Sequence, residues 1–186
     1  NPLTASTTTT AVSPVYCGGV NPSSSAVNGP VYINSIRSVG TINDVTNGPT
    51  GFSVTGYGNY SATTIATQIP SGGINIEMVL AGTYNSGPPA NCTNNSQFTR
   101  AWVDWNKDGD FNDGGETVYS VGGYAGITLD AGFIIPPATA AGDYRIRIRV
   151  YNSFAFSFPF SFESFAYSFN SCETFDSNPV DFGFPF

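Results

Sequence analysis

The sequence has no histidine and little charge of either sign. Of its 186 residues, six are Lys or Arg and 13 are Asp or Glu, which gives a formal net charge of −7. Without histidine, Ser-His-Asp and Cys-His catalytic arrangements and imidazole-based metal centres are excluded. Because the few basic residues cannot offset the negative charge, binding to nucleic-acid phosphates or to anionic lipid is disfavoured. We therefore expect no nucleic-acid partner.

Long apolar runs are also missing. No stretch approaches the roughly 18 to 20 uninterrupted apolar residues that a membrane-spanning helix requires, so we expect no membrane insertion. Residue 1 is Asn, and no basic segment followed by an apolar one comes after it. We interpret the chain as a secreted protein whose signal peptide has been removed, or as part of a longer protein.

Cysteine is scarce. The three cysteines, Cys17, Cys92 and Cys172, permit one disulfide and one remaining thiol. Their spacing does not choose among the possible pairings, and it does not fit a zinc site. All three are disulfide candidates.

Gly, Ser, Thr, Asn and aromatic residues are abundant instead, as in β-rich surface proteins. Three N-x-S/T sequons occur, at Asn59, Asn91 and Asn94. The opening residues 1–14 are rich in Ser and Thr, and such segments carry O-glycans; the candidates here are Thr7, Thr8, Thr9 and Thr10. These features predict an extracellular glycoprotein.

Short β-type runs recur between turn residues along most of the chain. They cover residues 30–39, 61–69, 74–84, 98–105, 116–121, 127–135 and 143–152. At least seven strands at this spacing predict an all-β fold, an antiparallel β-sandwich of jelly-roll or immunoglobulin-like type. We expect a single domain over residues 15–186, preceded by an extended arm, residues 1–14.

The clearest strand pattern is "YRIRIRVY". Ile146, Ile148 and Val150 alternate with three of the six basic residues: Arg145, Arg147 and Arg149. We expect the arginines on a solvated outer face, beside cross-strand carboxylates. An alternative is an arginine ladder that docks an acidic neighbouring subunit.

A Phe-rich insertion occupies residues 152–171. Its five strictly alternating phenylalanines are Phe154, Phe156, Phe158, Phe160 and Phe162. Such a face is buried either in the core or in an interface between subunits, because a continuous aromatic patch in water promotes association. We interpret these residues as candidates for assembly.

Residues 102–116, "WVDWNKDGDFNDGGE", hold five carboxylates between two strand patterns. Asp104, Asn106 and Asp108, followed by Gly109, match the first half of an EF-hand loop, but position 12 is Gly115 and the acid comes one residue late. A looser calcium site is possible; its candidate ligands are Asp104, Asn106, Asp108, Asp110 and Glu116. The alternative is a tight hairpin whose Asp and Asn side chains bond their own backbone amides.

Paired carboxylates are the remaining catalytic possibility, for instance Asp104 with Glu116 or with Glu77. Nothing in the sequence indicates that the pKa of one of these acids is raised, and no phosphate-binding glycine loop follows a strand. We therefore predict a protein without enzymatic activity. Calcium is the one cofactor that the sequence suggests.

Several blocks together resemble the GEVED domain family. They are "VYC", "GYGNYSATTIATQIPSGG", "WVDWNKDGDFNDGGETVYS" and "GFIIPPATAAGDYRIRIRVYN", and the resemblance covers roughly residues 15–186. The family's "GEVEDY" motif corresponds to residues 177–184, "SNPVDFGF", which keep Asp181 and an aromatic residue but lack both glutamates. The resemblance implies a β-sandwich in a secreted or cell-surface bacterial protein, and it implies no catalytic residues.

Two functions follow from these observations as hypotheses. The first is a structural subunit of an extracellular bacterial surface fibre or matrix, which assembles with copies of itself when the arm adds a strand to a neighbour's sheet. The second is an adhesin or carbohydrate-binding module, in which Tyr57, Tyr60 and Tyr124 stack on glycans. Ordinary packing at strand edges is the plainer interpretation of these three tyrosines.

Overall fold

The computed structural model describes residues 16, 31–51, 57–82, 96–124, 128–153 and 180–185. These residues form nine strands and no helix, so the described part of the chain contains no helix that could cross a membrane. The strands are β1 (Val31–Val39), β2 (Thr46–Asn47), β3 (Gly58–Asn59), β4 (Gly73–Gly82), β5 (Ser96–Asp104), β6 (Thr117–Tyr124), β7 (Thr128–Ile134), β8 (Asp143–Ser153) and β9 (Val180–Pro185).

The strands form two sheets. One has four strands in the order β2-β1-β4-β7, and the other has five in the order β3-β9-β8-β5-β6. All pairings are antiparallel except that of β3 with β9, which is parallel. The predicted all-β, antiparallel β-sandwich is therefore confirmed.

The core lies between the sheets and follows from the period-2 alternation of the strands. In β4, Ile74, Ile76, Met78 and Leu80 point inward and are at most 3% exposed. The facing sheet contributes an aliphatic and aromatic layer from β5 and β8: Ala101, Val103, Tyr144, Ile146 and Ile148. Each fully buried aliphatic side chain stabilises the fold by about 1.5 to 3 kcal/mol relative to an exposed one.

The strand predicted for residues 61–69 is wrong, although its alternation is real. Thr64, Ala66 and Gln68 are buried, but the segment forms isolated bridges and no strand; one of the bridges joins Thr67 and Asn43. The buried amide of Gln68 explains the difference, because its Nε2 donates to the carbonyls of Gly40 and Gly73, both at 2.7 Å. Side-chain hydrogen bonds thus replace a ladder in this extended segment.

The predicted solvated face of β8 is also wrong. Ile146 and Ile148 point into the core as expected, but Arg147 and Arg149 on the opposite face are only 1% and 0% exposed. The guanidinium carbon of Arg147 lies 5.4 Å from the ring centre of Tyr57 and 5.1 Å from that of Phe111. The outer face of the five-stranded sheet is thus covered, and these two arginines are not available to an acidic neighbouring subunit.

Several predictions fall outside the described residues. They concern the arm, the cysteines, two sequons, the threonine cluster and the assembly phenylalanines: residues 1–14, Cys17, Cys92, Cys172, Asn91, Asn94, Thr7, Thr8, Thr9, Thr10, Phe154, Phe156, Phe158, Phe160 and Phe162. The side chains of Tyr124, Val150 and Asp181 lie outside them as well.

Candidate functional site

The connection between β5 and β6, residues 105–116, is organised by two buried carboxylates. Asp104, the last residue of β5, is 0% exposed. Its Oδ1 accepts a hydrogen bond from the Lys107 amide at 2.6 Å, and its Oδ2 accepts from the Gly109 amide at 3.1 Å and from the Tyr16 hydroxyl at 2.5 Å. Asp104 therefore fixes the first turn of the loop and ties it to the N-terminal part of the chain.

Glu116 closes the other end of the loop. It is 2% exposed, and its two carboxylate oxygens accept hydrogen bonds from the amides of Trp105 at 3.1 Å and Asp113 at 3.2 Å. Burial raises the pKa of Glu116, and the nearby negative charges of Asp104 and Asp113 add to this effect. The two amide hydrogen bonds oppose the rise in pKa, since they stabilise the ionised form.

Between these two carboxylates, side chains bond the backbone two residues ahead. The amide of Asp108 donates to Asn106 Oδ1 at 3.1 Å, that of Asp110 to Asp108 Oδ1 at 3.1 Å, and that of Asn112 to Asp110 Oδ1 at 2.9 Å. Lys107 has a positive φ of 63°, which a non-glycine residue adopts only when its surroundings impose it. The loop is thus closed by its own amides, as the tight-hairpin alternative predicts.

The surface of the loop carries a cluster of three acids. One carboxylate oxygen from each of Asp108, Asp110 and Asp113 lies within 4.8 Å of the others. Asn106 Nδ2 bridges two of these acids, donating to Asp108 Oδ2 at 3.0 Å and to Asp113 Oδ2 at 2.5 Å. An amide donor between two carboxylates reduces their mutual repulsion.

The structure divides the five predicted calcium ligands into two groups. Asp108 and Asp110 meet at the surface together with Asp113, which the prediction left out, whereas Asp104 and Glu116 point toward backbone amides. The EF-hand register predicts ligands at alternate residues from Asp104, and Asp113 falls outside that register. Calcium binding at this loop stays a prediction.

The acids considered for catalysis are not all together. Asp104 and Glu116 are neighbours, but hydrogen-bond donors occupy the carboxylate oxygens of both. Glu77 lies on β4 in the other sheet, where Arg37 binds its carboxylate at 2.6 Å. The pair of Asp104 with Glu77 is therefore not assembled in this fold.

Tyr16 packs beside the loop, a contact that sequence patterns did not reveal. In addition to its hydrogen bond with Asp104, the Tyr16 ring lies 5.3 Å from that of Phe111. The guanidinium of Arg145 lies over the same ring at 4.4 Å. Arg145 also donates to the Ser61 hydroxyl at 2.9 Å, so three distant chain segments meet here. The "VYC" block was the only sequence signal for Tyr16.

The opposite side of the loop packs on the start of β8. The Trp105 ring lies 5.6 Å from the ring of Tyr144, and Trp105 Nε1 donates to the Gly115 carbonyl at 3.3 Å. The ammonium of Lys107, the chain's single lysine, sits 4.1 Å from the Tyr144 ring centre. Gly142 lies beside that ammonium and has a φ of 152°, a conformation that L side chains rarely adopt, which explains the glycine.

The predicted sugar-stacking tyrosines have internal roles where their side chains are described. Tyr57 lies against buried Arg147, and Tyr60 is half-buried against the core. Asn59, the one described sequon residue, is exposed; its Oδ1 accepts hydrogen bonds from the amide and the hydroxyl of Ser61. These contacts favour packing over sugar stacking for Tyr57 and Tyr60.

The fold and this loop define a class of protein: a β-sandwich with two adjacent strands of one sheet joined by a carboxylate-closed, tryptophan-flanked hairpin. Residues 98–177 match the family model of the GEVED domain. The matched range contains most of β5, the loop, and strands β6, β7 and β8, so the resemblance seen in the sequence is confirmed there. None of the curated proteins matches the chain.

Proposed function

We propose that the chain is a non-enzymatic structural subunit of an extracellular bacterial surface fibre or matrix, self-assembling through strand addition and hydrophobic contacts. The observation that carries the proposal is the edge of the four-stranded sheet. Strand β7 pairs with β4 in an unbroken register from Thr128 to Ile134, and no other described strand pairs with its second side. A regular edge strand of this kind is a template for another chain.

Exposed isoleucines support the hydrophobic part of the proposal. Ile42, Ile69 and Ile134 are 66%, 59% and 69% exposed. Backbone contacts connect the segments that carry them: the Ile42 amide bonds the Thr67 carbonyl, the Gly72 amide bonds the Ile69 carbonyl, and Gly73 pairs with Ile134. Exposed apolar side chains on connected segments suit an association surface.

An extracellular location is proposed from the sequence and the family. The sequons, of which Asn59 lies at an exposed position, suit a secreted glycoprotein, and the GEVED resemblance implies a bacterial cell surface. Calcium in the β5–β6 loop and a disulfide among the three cysteines belong to the same proposal.

Negative-stain electron microscopy and sedimentation of the full chain test the assembly. We expect concentration-dependent fibres from the full chain and monomers from a variant lacking residues 1–14. A matched control replaces residues 1–14 with a Gly/Ser segment of equal length, and we expect monomers from it too. Fibres from the shortened variant would contradict the role of the arm.

An adhesin or carbohydrate-binding module is the alternative function, and the same material tests it. Glycan-array binding by the monomeric variant, with no polymers from the full chain at any concentration, would favour that alternative. Polymers without glycan affinity would favour the structural subunit.

A further inference from the structure

We infer that β7 is the acceptor edge for assembly and that its occupant is the segment 1–14 of a second copy of the chain. This inference rests on the proposed function and names the partner surface within it.

Only one of the four edges among the described strands is both long and regular. The edges β2 and β3 contain two residues each. The edge β6 has eight residues, but its register with β5 shifts twice, between Gln97 and Thr99 and between Ala101 and Trp102. Bulges of this kind twist an edge and protect it from pairing. The seven residues of β7 have no shift, no proline and no lysine.

Among the described strands, none lies beyond β7 in its sheet. Counting the described strands alone, this sheet has one strand fewer than the sheet it faces, and β7 lies against β5 and β6. Val118 and Tyr119 of β6 pack against the core but are only partly buried. A strand added beyond β7 would lie over β6 and would give each sheet five strands. It would also bury more of these side chains.

The segment 1–14 has the composition of such a strand. It contains no charged residue, and β-branched threonines occupy residues 7–10. Fully extended, 14 residues reach roughly 45 Å, whereas a seven-residue strand needs about 23 Å, so about half of the segment can serve as the connection between two subunits. Asp130, the one charged residue of β7, would meet no like charge.

The position of Tyr16 favours a second copy over the same chain. Tyr16 is held on the outer face of the five-stranded sheet, where its hydroxyl donates to Asp104 and Arg145 covers its ring. From that face, the segment of the same chain would have to pass around β6 to reach β7. A head-to-tail contact between copies requires no such turn, and repeated contacts of this kind build an open fibre.

A synthetic peptide of residues 1–14, carrying a fluorophore, tests the inference on the variant that lacks these residues. We expect saturable binding by anisotropy, with new hydrogen-exchange protection in residues 128–134. Lysines at the edge, T128K with I134K, should weaken binding at least tenfold, because charged edge residues oppose strand addition. The control I65K changes an isoleucine that is 41% exposed, lies outside the nine strands and has no part in the proposed contacts, so it should bind as the parent does.

The outcomes separate this inference from the proposed function. Hydrogen-exchange protection that appears in β6, or a double lysine variant that binds the peptide with the parent's affinity, would overturn β7 as the acceptor. The proposed function would still hold in that case if fibre formation depends on residues 1–14. Monomers of the full chain with β7 already protected would show that the arm folds back on its own sheet, and would overturn the second copy as occupant. Thermal unfolding of each variant verifies that the lysines leave the sandwich folded.

Discussion

At the residue scale, Asp104 is the side chain on which the β5–β6 loop depends most. It is fully buried and accepts three hydrogen bonds, from two loop amides and from the Tyr16 hydroxyl. Hydrogen bonds to a charged group contribute more than neutral ones, and a buried donor without an acceptor costs about 1 to 3 kcal/mol. The loop and the N-terminal segment are therefore coupled through one carboxylate.

We expect Asp104→Ala to lower the free energy of unfolding by about 3 kcal/mol or more, because it leaves three donors without their acceptor. The control is Asp108→Ala, which removes an exposed carboxylate bonded to one backbone amide and to the Asn106 side chain, and should cost less than about 1 kcal/mol. Urea unfolding followed by tryptophan fluorescence measures both. Equal losses in the two variants would show that Asp104 does not organise the loop.

Asp44 provides a pH-dependent test away from the loop. Its carboxylate accepts hydrogen bonds from the hydroxyl and the amide of Thr41, at 2.7 and 3.0 Å, and these bonds lower the pKa of Asp44. Because the folded pKa lies below the unfolded one, the stabilisation is present above the unfolded pKa and is lost as pH falls through the folded pKa.

We expect Thr41→Val to move the pKa of Asp44 upward, since the side-chain hydrogen bond is the largest cause of the shift. A carboxyl-detected NMR titration follows this residue directly. Thr41→Ser, which keeps the hydroxyl, is the matched control and should leave the pKa of Asp44 lowered. An unchanged Asp44 titration would mean that the hydroxyl contributes nothing.

At the scale of single strands, β8 shows which features of side-chain burial the sequence pattern can predict. Alternation assigned Ile146 and Ile148 to the core, and the structure places them there. The same alternation says that Arg147 faces the other way, but it carries no information about what covers that face. The covering groups, Tyr57 and Phe111, are far away in sequence, so local periodicity could not have revealed a buried arginine.

We expect Arg147→Lys to destabilise the protein by about 1 to 2 kcal/mol. A planar guanidinium stacks between aromatic rings, and an ammonium does not reproduce this contact when buried. The matched control is Arg37→Lys, at an exposed ion pair with Glu77, which should change stability by less than about 0.5 kcal/mol. If denaturant melts show equal effects, the aromatic contacts of Arg147 contribute little.

Only the local part of the β5–β6 loop could be predicted from the sequence, because sequence patterns reveal contacts between residues that are close along the chain. Residues close in sequence, such as Asp108 with Gly109, indicate turns through their own chemistry, and the amide-closed hairpin could be anticipated from them. The contact of Tyr16 with Asp104 joins residues 88 positions apart. Contacts of that separation depend on the topology of the whole sandwich, which a single sequence does not specify.

At the scale of the whole molecule, growth by strand addition makes the free arm a chain terminator. If each subunit donates residues 1–14 and accepts at β7, excess peptide of that sequence occupies acceptor edges without offering an edge of its own. Because head-to-tail contacts propagate only through free edges, growth then stops at each occupied end.

We expect mean fibre length, measured by electron microscopy, to fall steadily as the ratio of peptide to protein rises. A peptide of the same composition with prolines distributed through it is the control, since proline removes backbone donors from a strand and should leave fibre length unchanged. If mean fibre length stays unchanged at a saturating concentration of the native peptide, the subunits join through another surface, such as the exposed isoleucines Ile42 and Ile69.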